Sequence, residues 1–157
     1  MTRNAKLLLA LAAALGVVYV IFFTDLFRRQ TIQIAVQIRP GRASAIPRPR
    51  DSAPVYPVSF RFDKQYRFTS IKVVNAAQYA TNRFAPPLWH MVSDSNSAPQ
   101  NSVIYGFSKV PGMRSAVAKA RPQPLEADVP YLIIVEAGKA KGHTNFITRE
   151  YVAGPRR

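Results

Sequence analysis

An uninterrupted apolar run near the N-terminus constrains the fold of this chain more than any other feature. The run extends from Leu7 to Phe23, reads LLLALAAALGVVYVIFF, and contains no charged residue and no proline. As an α-helix it would span roughly 25 Å, and continuing it to Phe27 gives about 31 Å. A helix of that length crosses a hydrocarbon core of roughly 30 Å. The sequence therefore predicts a transmembrane anchor over residues 7–27, preceded by a short basic tail over residues 1–6.

A cleavable secretory signal is the alternative interpretation of this run. Cleavage needs a small-residue site of the A-x-A kind after the apolar region, and the segment after Phe23, TDLFRR, contains none. An uncleaved anchor is therefore favoured. Ala12 and Gly16 form a small-xxx-small pair of the kind that lets two membrane helices approach closely, which predicts a weak homodimer through the anchor.

The orientation of the anchor stays open. Counted strictly, the arginines after the run outnumber Arg3 and Lys6 before it, which favours a body in the cytoplasm. The short, signal-like N-terminus and the aromatic residues at the end of the run favour the opposite orientation. We expect the body to lie on the outer side of an inner (cytoplasmic) membrane.

Positive charge is densest next to the predicted anchor. The chain carries a net charge of +14, of which +5 falls between Thr24 and Arg50. Basic groups beside a membrane attract anionic lipid by about 1 kcal/mol each. We therefore expect membrane lipid and an envelope protein or polyanion as partners, with nucleic acid the least favoured because no nucleic-acid-binding motif is present. The membrane-proximal basic residues are Arg28, Arg29, Arg39, Arg42, Arg48 and Arg50.

The absence of cysteine excludes several kinds of site. A chain without cysteine has no disulfide, no thiolate zinc site and no thiol nucleophile. It also contains no Asn-x-Ser/Thr glycan acceptor. A translocated domain with neither feature is more typical of a bacterial envelope than of a eukaryotic cell surface.

Beyond the anchor, alternating apolar residues predict an all-β body. Residues 30–39, QTIQIAVQIR, alternate with a period of two and predict the first strand. Further strands are predicted over 58–62, 66–74 with a bulge near Thr69, 88–93, 103–107, 131–137 and 145–151. A tight turn is predicted over 63–65, a helical turn over 75–83, a long connection over 111–124 and a loop over 138–142.

A segment rich in proline and arginine interrupts the strands. Residues 40–57, PGRASAIPRPRDSAPVYP, contain five prolines, which disfavour both helix and central-strand pairing. We predict an extended, exposed connector here. The sandwich domain proper is expected over residues 58–152, followed by a basic tail over 153–157.

The segment LEADVPYLIIVEA, which starts at Leu125, resembles a fibronectin type III or related immunoglobulin-like domain. In such domains a tyrosine at the start of a central strand bonds back to the preceding loop, forming a tyrosine corner. Leu125 and Tyr131 have the spacing of that motif. The resemblance implies a small antiparallel β-sandwich, with Trp89 as the aromatic filler between its sheets.

No catalytic or metal-binding pattern accompanies these elements. His90 and His143 are the only histidines, and no residues have the spacing of metal ligands. Glu126 and Asp128 are the only close carboxylate pair in the body, and they fall in the loop before the tyrosine corner. We therefore expect no enzymatic activity and no cofactor.

The favoured function is binding or scaffolding of cell-envelope components by a single-pass membrane protein. The alternative is a cytoplasm-facing membrane protein whose basic face binds anionic lipid or nucleic acid. Residues 89–113 mix Ser, Asn, Gly and Tyr around short strands, a composition that suits recognition as well as an ordinary solvated hairpin. The candidate binding surface consists of Ser95, Asn96, Asn101 and Tyr105.

Overall fold

A computed structural model describes residues 3–23, 30–38, 46, 54–94, 97–107 and 110–151. The chain divides into two units, Met1–Gln30 and Thr31–Arg157. The first unit contains the helix α1 (Arg3–Phe23), which is long and apolar enough to cross a membrane. Gly16 leaves open space on the surface of this helix. The second unit is mostly β-structure.

Among its described residues, the second unit contains eight strands and one short helix. They are β1 (Ile34–Ile38), β2 (Val58–Tyr66), β3 (Ser70–Asn75), α2 (Ala76–Thr81), β4 (Trp89–Val92), β5 (Gln100–Ile104), β6 (Arg114–Ser115), β7 (Pro130–Ala137) and β8 (Ala140–Ile147). These strands make two antiparallel sheets, one in the order β1-β2-β5 and the other in the order β6-β4-β3-β7-β8. The prediction of a mostly β body after one apolar helix is confirmed.

Apolar residues from both sheets meet in one core. The alternation that predicted the strands turns Phe60 of β2, Ile71 of β3 and Ile133 of β7 completely inward. The Phe60 and Phe146 rings lie 5.2 Å apart in an edge-to-face arrangement that links the two sheets. Trp89 is 4% exposed and packs edge-on against Tyr105 at 5.5 Å, so it fills the interior.

The helix α2 lies at the end of β3 and contacts β7. Asn75 caps it, because its side-chain oxygen accepts hydrogen bonds from the backbone N–H groups of Ala77 and Gln78 at 3.0 and 3.2 Å. The turn after the helix is held by Asn82, which accepts from the N–H groups of Phe84 and Ala85. The helical turn predicted over 75–83 therefore forms a six-residue helix.

The tight turn predicted over 63–65 is wrong, because β2 continues to Tyr66. Residues 63–65 are polar because they are exposed beyond the last residue pair of β1 and β2, Ile34 with Phe62. The bulge predicted near Thr69 is also misplaced. Thr69 lies between β2 and β3, and the register irregularity occurs between Arg61 and Tyr66 where β2 pairs with β5.

Other strand boundaries also differ from the sequence prediction, including that of the last strand, which is Ala140–Ile147 and not 145–151. β5 ends at Ile104, so Phe107 lies outside it, 54% exposed. The long connection over 111–124 contains the two-residue strand β6. The loop predicted over 138–142 is only a two-residue turn, since Ala137 already pairs with Ala140.

Gly142 lies in β8 at a position that suits glycine, because a backbone segment approaches it closely. A Cβ atom at this position would lie 2.4 Å from the carbonyl oxygen of Ile32 and 2.8 Å from its Cβ. The N–H of Ile32 donates to the carbonyl of Lys141 at 3.0 Å, and Thr31 forms a parallel bridge with Lys141. The chain entering the sandwich is therefore attached to β8 before it becomes β1 in the other sheet.

Described parts of the predicted connector also pack on the sandwich. Val55 is 2% exposed and forms an antiparallel bridge with Glu150. The Tyr56 and Tyr151 rings lie 5.2 Å apart, and Ile46 packs against the core. In these places the connector is not an exposed loop. Residues 39–45 and 47–53 lie outside the described part of the chain.

Candidate binding surfaces

The predicted site residues fall into different environments. The six membrane-proximal arginines, together with Ser95 and Asn96, lie outside the described residues. Asn101 is exposed on β5, at the surface of the three-stranded sheet. Tyr105 is 6% exposed, and its hydroxyl donates to the carbonyl of Gln123 at 2.7 Å. Burial raises the pKa of Tyr105. Its ring supports the core and does not face a partner.

Tyr131 and Leu125 lie together at the entry to β7. Both are buried, at 2% and 4% exposure. The hydroxyl of Tyr131 accepts a hydrogen bond from the backbone N–H of Glu126 at 2.9 Å. Thr148 fixes the same loop, because its hydroxyl donates to the Glu126 carbonyl and its own carbonyl accepts from the N–H of Asp128. This geometry is that of a tyrosine corner, and its role is structural.

An open groove of about 580 Å³ lies on the three-stranded sheet and includes Asn101. We call it the polar groove; it is lined by Gln33, which precedes β1, by Ile34 and Ala35 of β1, by Arg61–Gln65 of β2 and by Asn101. It forms where the exposed end of β2 extends past β1. Arg61 stands between two small cross-strand neighbours, Ala35 and Ser102, so nothing large covers its side chain from either adjacent strand.

Asp63 fixes the edge of the polar groove. Its carboxylate accepts from the backbone N–H of Gln33 at 3.2 Å and from the Tyr66 hydroxyl at 3.1 and 3.2 Å. Partial burial, and then the hydrogen bond and charge of Asp63, raise the pKa of Tyr66, so this hydroxyl stays a donor. The Asp63 carboxylate is engaged by these hydrogen bonds. The other charged side chains of the polar groove are Arg61 and Lys64, and neither makes an ion pair with a carboxylate in the described part of the chain.

The lining groups are suited to recognition more than to chemistry. The polar groove presents amide, guanidinium and ammonium groups, and no histidine, cysteine or serine lines it. Within the described residues, no group of three or more His, Cys, Asp or Glu side chains is placed to hold a metal ion. These groups can donate and accept hydrogen bonds and attract a carboxylate.

Sequence reasoning missed most of the polar groove. Arg61 and Lys64 lie on β2, whereas Gln33 lies just before β1 and far from them in the chain, and the register of Ile34 with Phe62 brings them together. A register of this kind depends on which strands become neighbours, so a single sequence carries little signal for it. The sequence did indicate that Arg61 is exposed, because it occupies a polar position in the alternation VSFRF.

The two histidines lie on the outer face of the five-stranded sheet. His90 is half-buried, with its Nε2 atom 3.3 Å from the Ser70 hydroxyl oxygen. Burial, followed by the charge of Lys72, lowers the pKa of His90. His143 is exposed on β8. They lie three strands apart in one cross-strand row with Lys72 and Ile134.

Comparison with protein-family models, with curated proteins and with solved structures gives no match to this chain.

Proposed function

We propose that this chain is a non-enzymatic, single-pass membrane protein whose β-sandwich binds another protein of a bacterial cell envelope. The observation that carries the proposal is the polar groove. It combines uncovered cationic side chains with an amide-rich rim on a rigid sheet, which suits a partner segment with acidic and hydrogen-bonding groups. The apolar helix α1 supplies the membrane attachment.

We further propose that the sandwich is of the immunoglobulin-like or fibronectin type III kind. The orders β1-β2-β5 and β4-β3-β7-β8 correspond to the A-B-E and C′-C-F-G arrangement of immunoglobulin-like sheets. In this correspondence Tyr131 lies at the start of strand F, where the tyrosine corner is expected. Such a fold hosts many functions, so it supports the architecture and not the partner.

The outer side of the inner membrane is the proposed location of the sandwich. Support comes from the signal-like N-terminus and from a chain without cysteine or glycan acceptors. The opposite orientation would place the same basic surface in the cytoplasm, against anionic lipid or nucleic acid.

Site-specific photocrosslinking in membranes tests the proposed binding. A photoreactive residue at Asn101 of the full chain should form an adduct with a distinct partner protein. The same residue at Asn145, exposed on the other sheet, is the positional control. Arg61→Glu should reduce the Asn101 adduct at least severalfold, because it reverses a charge inside the groove.

Arg149→Glu is the matched charge control, since Arg149 is exposed and outside the polar groove. The buried Trp89 is the only tryptophan, so its fluorescence checks that each variant is folded. Identical adducts from positions 101 and 145, or equal effects of the two arginine variants, would contradict the proposal.

A further inference from the structure

A second groove lies on the opposite sheet, between α2 and the strands β7 and β8. We call it the cationic groove; it encloses about 320 Å³ and is lined by Tyr79, Ala80, Arg83, Leu132, Ile134 and His143. This volume is at the lower end of the range of small-molecule sites. Leu132 and Ile134 form an apolar floor, since they are the half-buried residues of β7 that face away from the core.

Arg83 and His143 supply the nitrogen groups of the cationic groove. Arg83 enters from the turn after α2 and His143 from β8, so the two approach from different elements. No carboxylate is among the lining residues that the structure describes. The closest carboxylate along the floor strand, Glu136, is held by Lys141 at 2.7 Å. Arg83 makes no ion pair with any carboxylate in the described part of the chain.

A lysine also lies beside the floor. Lys72 is the cross-strand neighbour of Ile134, and its Nζ atom lies 5.8 Å from the centroid of the Tyr79 ring. A cation at this distance from an aromatic face is attracted to it. The ring therefore holds the Lys72 ammonium near the groove. His90 continues the same row beyond Lys72, and burial, followed by the charge of Lys72, lowers its pKa.

We propose that the cationic groove binds a phosphate group carried on a small apolar or aromatic body. The apolar body would rest on Leu132, Ile134 and the Tyr79 ring. Arg83, His143 and Lys72 would donate to the phosphate from three elements, which suits a tetrahedral oxyanion better than a planar carboxylate. The groove is on a different sheet from the polar groove, so this site is independent of the proposed partner binding.

Imidazole NMR of the full chain in nonionic micelles tests this site directly. The chain has two histidines, so His90 is an internal control for His143. Adding phenyl phosphate should shift the His143 ring signals in a saturable way, with little change at His90. Inorganic phosphate should act at higher concentration because it lacks the body that contacts the floor.

Two arginine variants distinguish binding in the cationic groove from general electrostatic attraction of phosphate to a basic protein. Arg83→Gln should weaken phenyl phosphate binding about tenfold, the loss expected for a charge-assisted hydrogen-bonding partner. Arg121→Gln removes the same charge from an exposed position outside the groove and should change binding less than twofold. Trp89 fluorescence confirms the fold of both variants.

The source of the phosphate is distinguished by a second titration. If anionic phospholipid nanodiscs shift His143 more than zwitterionic nanodiscs do, and Arg83→Gln removes the difference, the ligand is a lipid headgroup. If only the soluble ester shifts it, the ligand is a soluble organic phosphate. Benzoate binding as tightly as phenyl phosphate, equal effects of the two variants, or no His143 shift with any probe would overturn the proposal.

Discussion

A single hydroxyl determines how the chain enters the strand β7. Tyr131 accepts the Glu126 N–H across five residues of chain, while its ring packs against Phe146 in the core. The ring and the hydroxyl of Tyr131 therefore have different roles. The ring excludes water, and the oxygen satisfies a backbone donor that would otherwise lose its partner on burial.

We expect Tyr131→Phe to destabilise the sandwich by about 1 kcal/mol, because the Glu126 N–H loses its acceptor while the ring stays in place. Urea unfolding of the full chain in nonionic micelles, followed by Trp89 fluorescence, measures the change. Tyr56→Phe is the control, since no hydrogen bond of its hydroxyl is found among the described residues. Equal losses in the two variants would contradict the role of the Tyr131 oxygen.

His90 makes stability depend on pH in a defined direction. Burial and then Lys72 lower its pKa in the folded protein below the ordinary value of 6.5. As pH falls below about 6.5, the unfolded chain takes up this proton before the folded chain does, so stability decreases. The decrease is complete once pH is below the folded pKa.

We therefore expect the urea midpoint to fall between pH 7 and pH 5, and His90→Gln to reduce this fall. His143→Gln is the control, because His143 is exposed on the same sheet face. An unchanged pH dependence in His90→Gln, or a larger effect of His143→Gln, would show that another group is responsible.

At the scale of elements, alternation predicted the strands but not their ends or neighbours. Period-two patterns located β1, β4 and β7 because one face of each strand is buried. The pattern failed at residues 63–65, whose side chains are polar because this part of β2 is exposed. It also failed at Gly142, where glycine does not mark a loop but allows the backbone of Ile32 to come close. Both features depend on tertiary contacts, as does the grouping of Arg61 with Asn101 in the polar groove.

Gly142 tests the attachment of the entering chain to β8. Gly142→Ala would bring a methyl group within 2.4 Å of the Ile32 carbonyl oxygen, so we expect a loss of about 1 to 3 kcal/mol as the segment shifts. The Thr31–Lys141 bridge should open, which backbone hydrogen exchange at Ile32 would detect. Asn145→Ala, at an exposed position of the same strand, is the control. Unchanged protection at Ile32 in Gly142→Ala would contradict this account.

For the whole molecule, the two units have complementary roles in the proposed function. The helix α1 is apolar from Leu7 onward, whereas the sandwich carries the polar groove and the cationic groove on different sheets. We propose that the polar groove binds a partner protein and that the cationic groove binds a phosphate. The proposed binding of an envelope protein needs the sandwich on the outer side of a membrane, with the anchor still attached.

Cysteine labelling tests this arrangement most directly, because the natural chain contains no cysteine and a single introduced thiol is unambiguous. Asn145→Cys places that thiol on an exposed position of β8. A membrane-impermeant maleimide added to intact spheroplasts should label the variant before lysis, and the labelled chain should remain in the membrane fraction with residues 3–23 intact by mass. Labelling only after lysis, or a labelled chain that lacks those residues, would contradict an uncleaved anchor with its sandwich outside the cytoplasm.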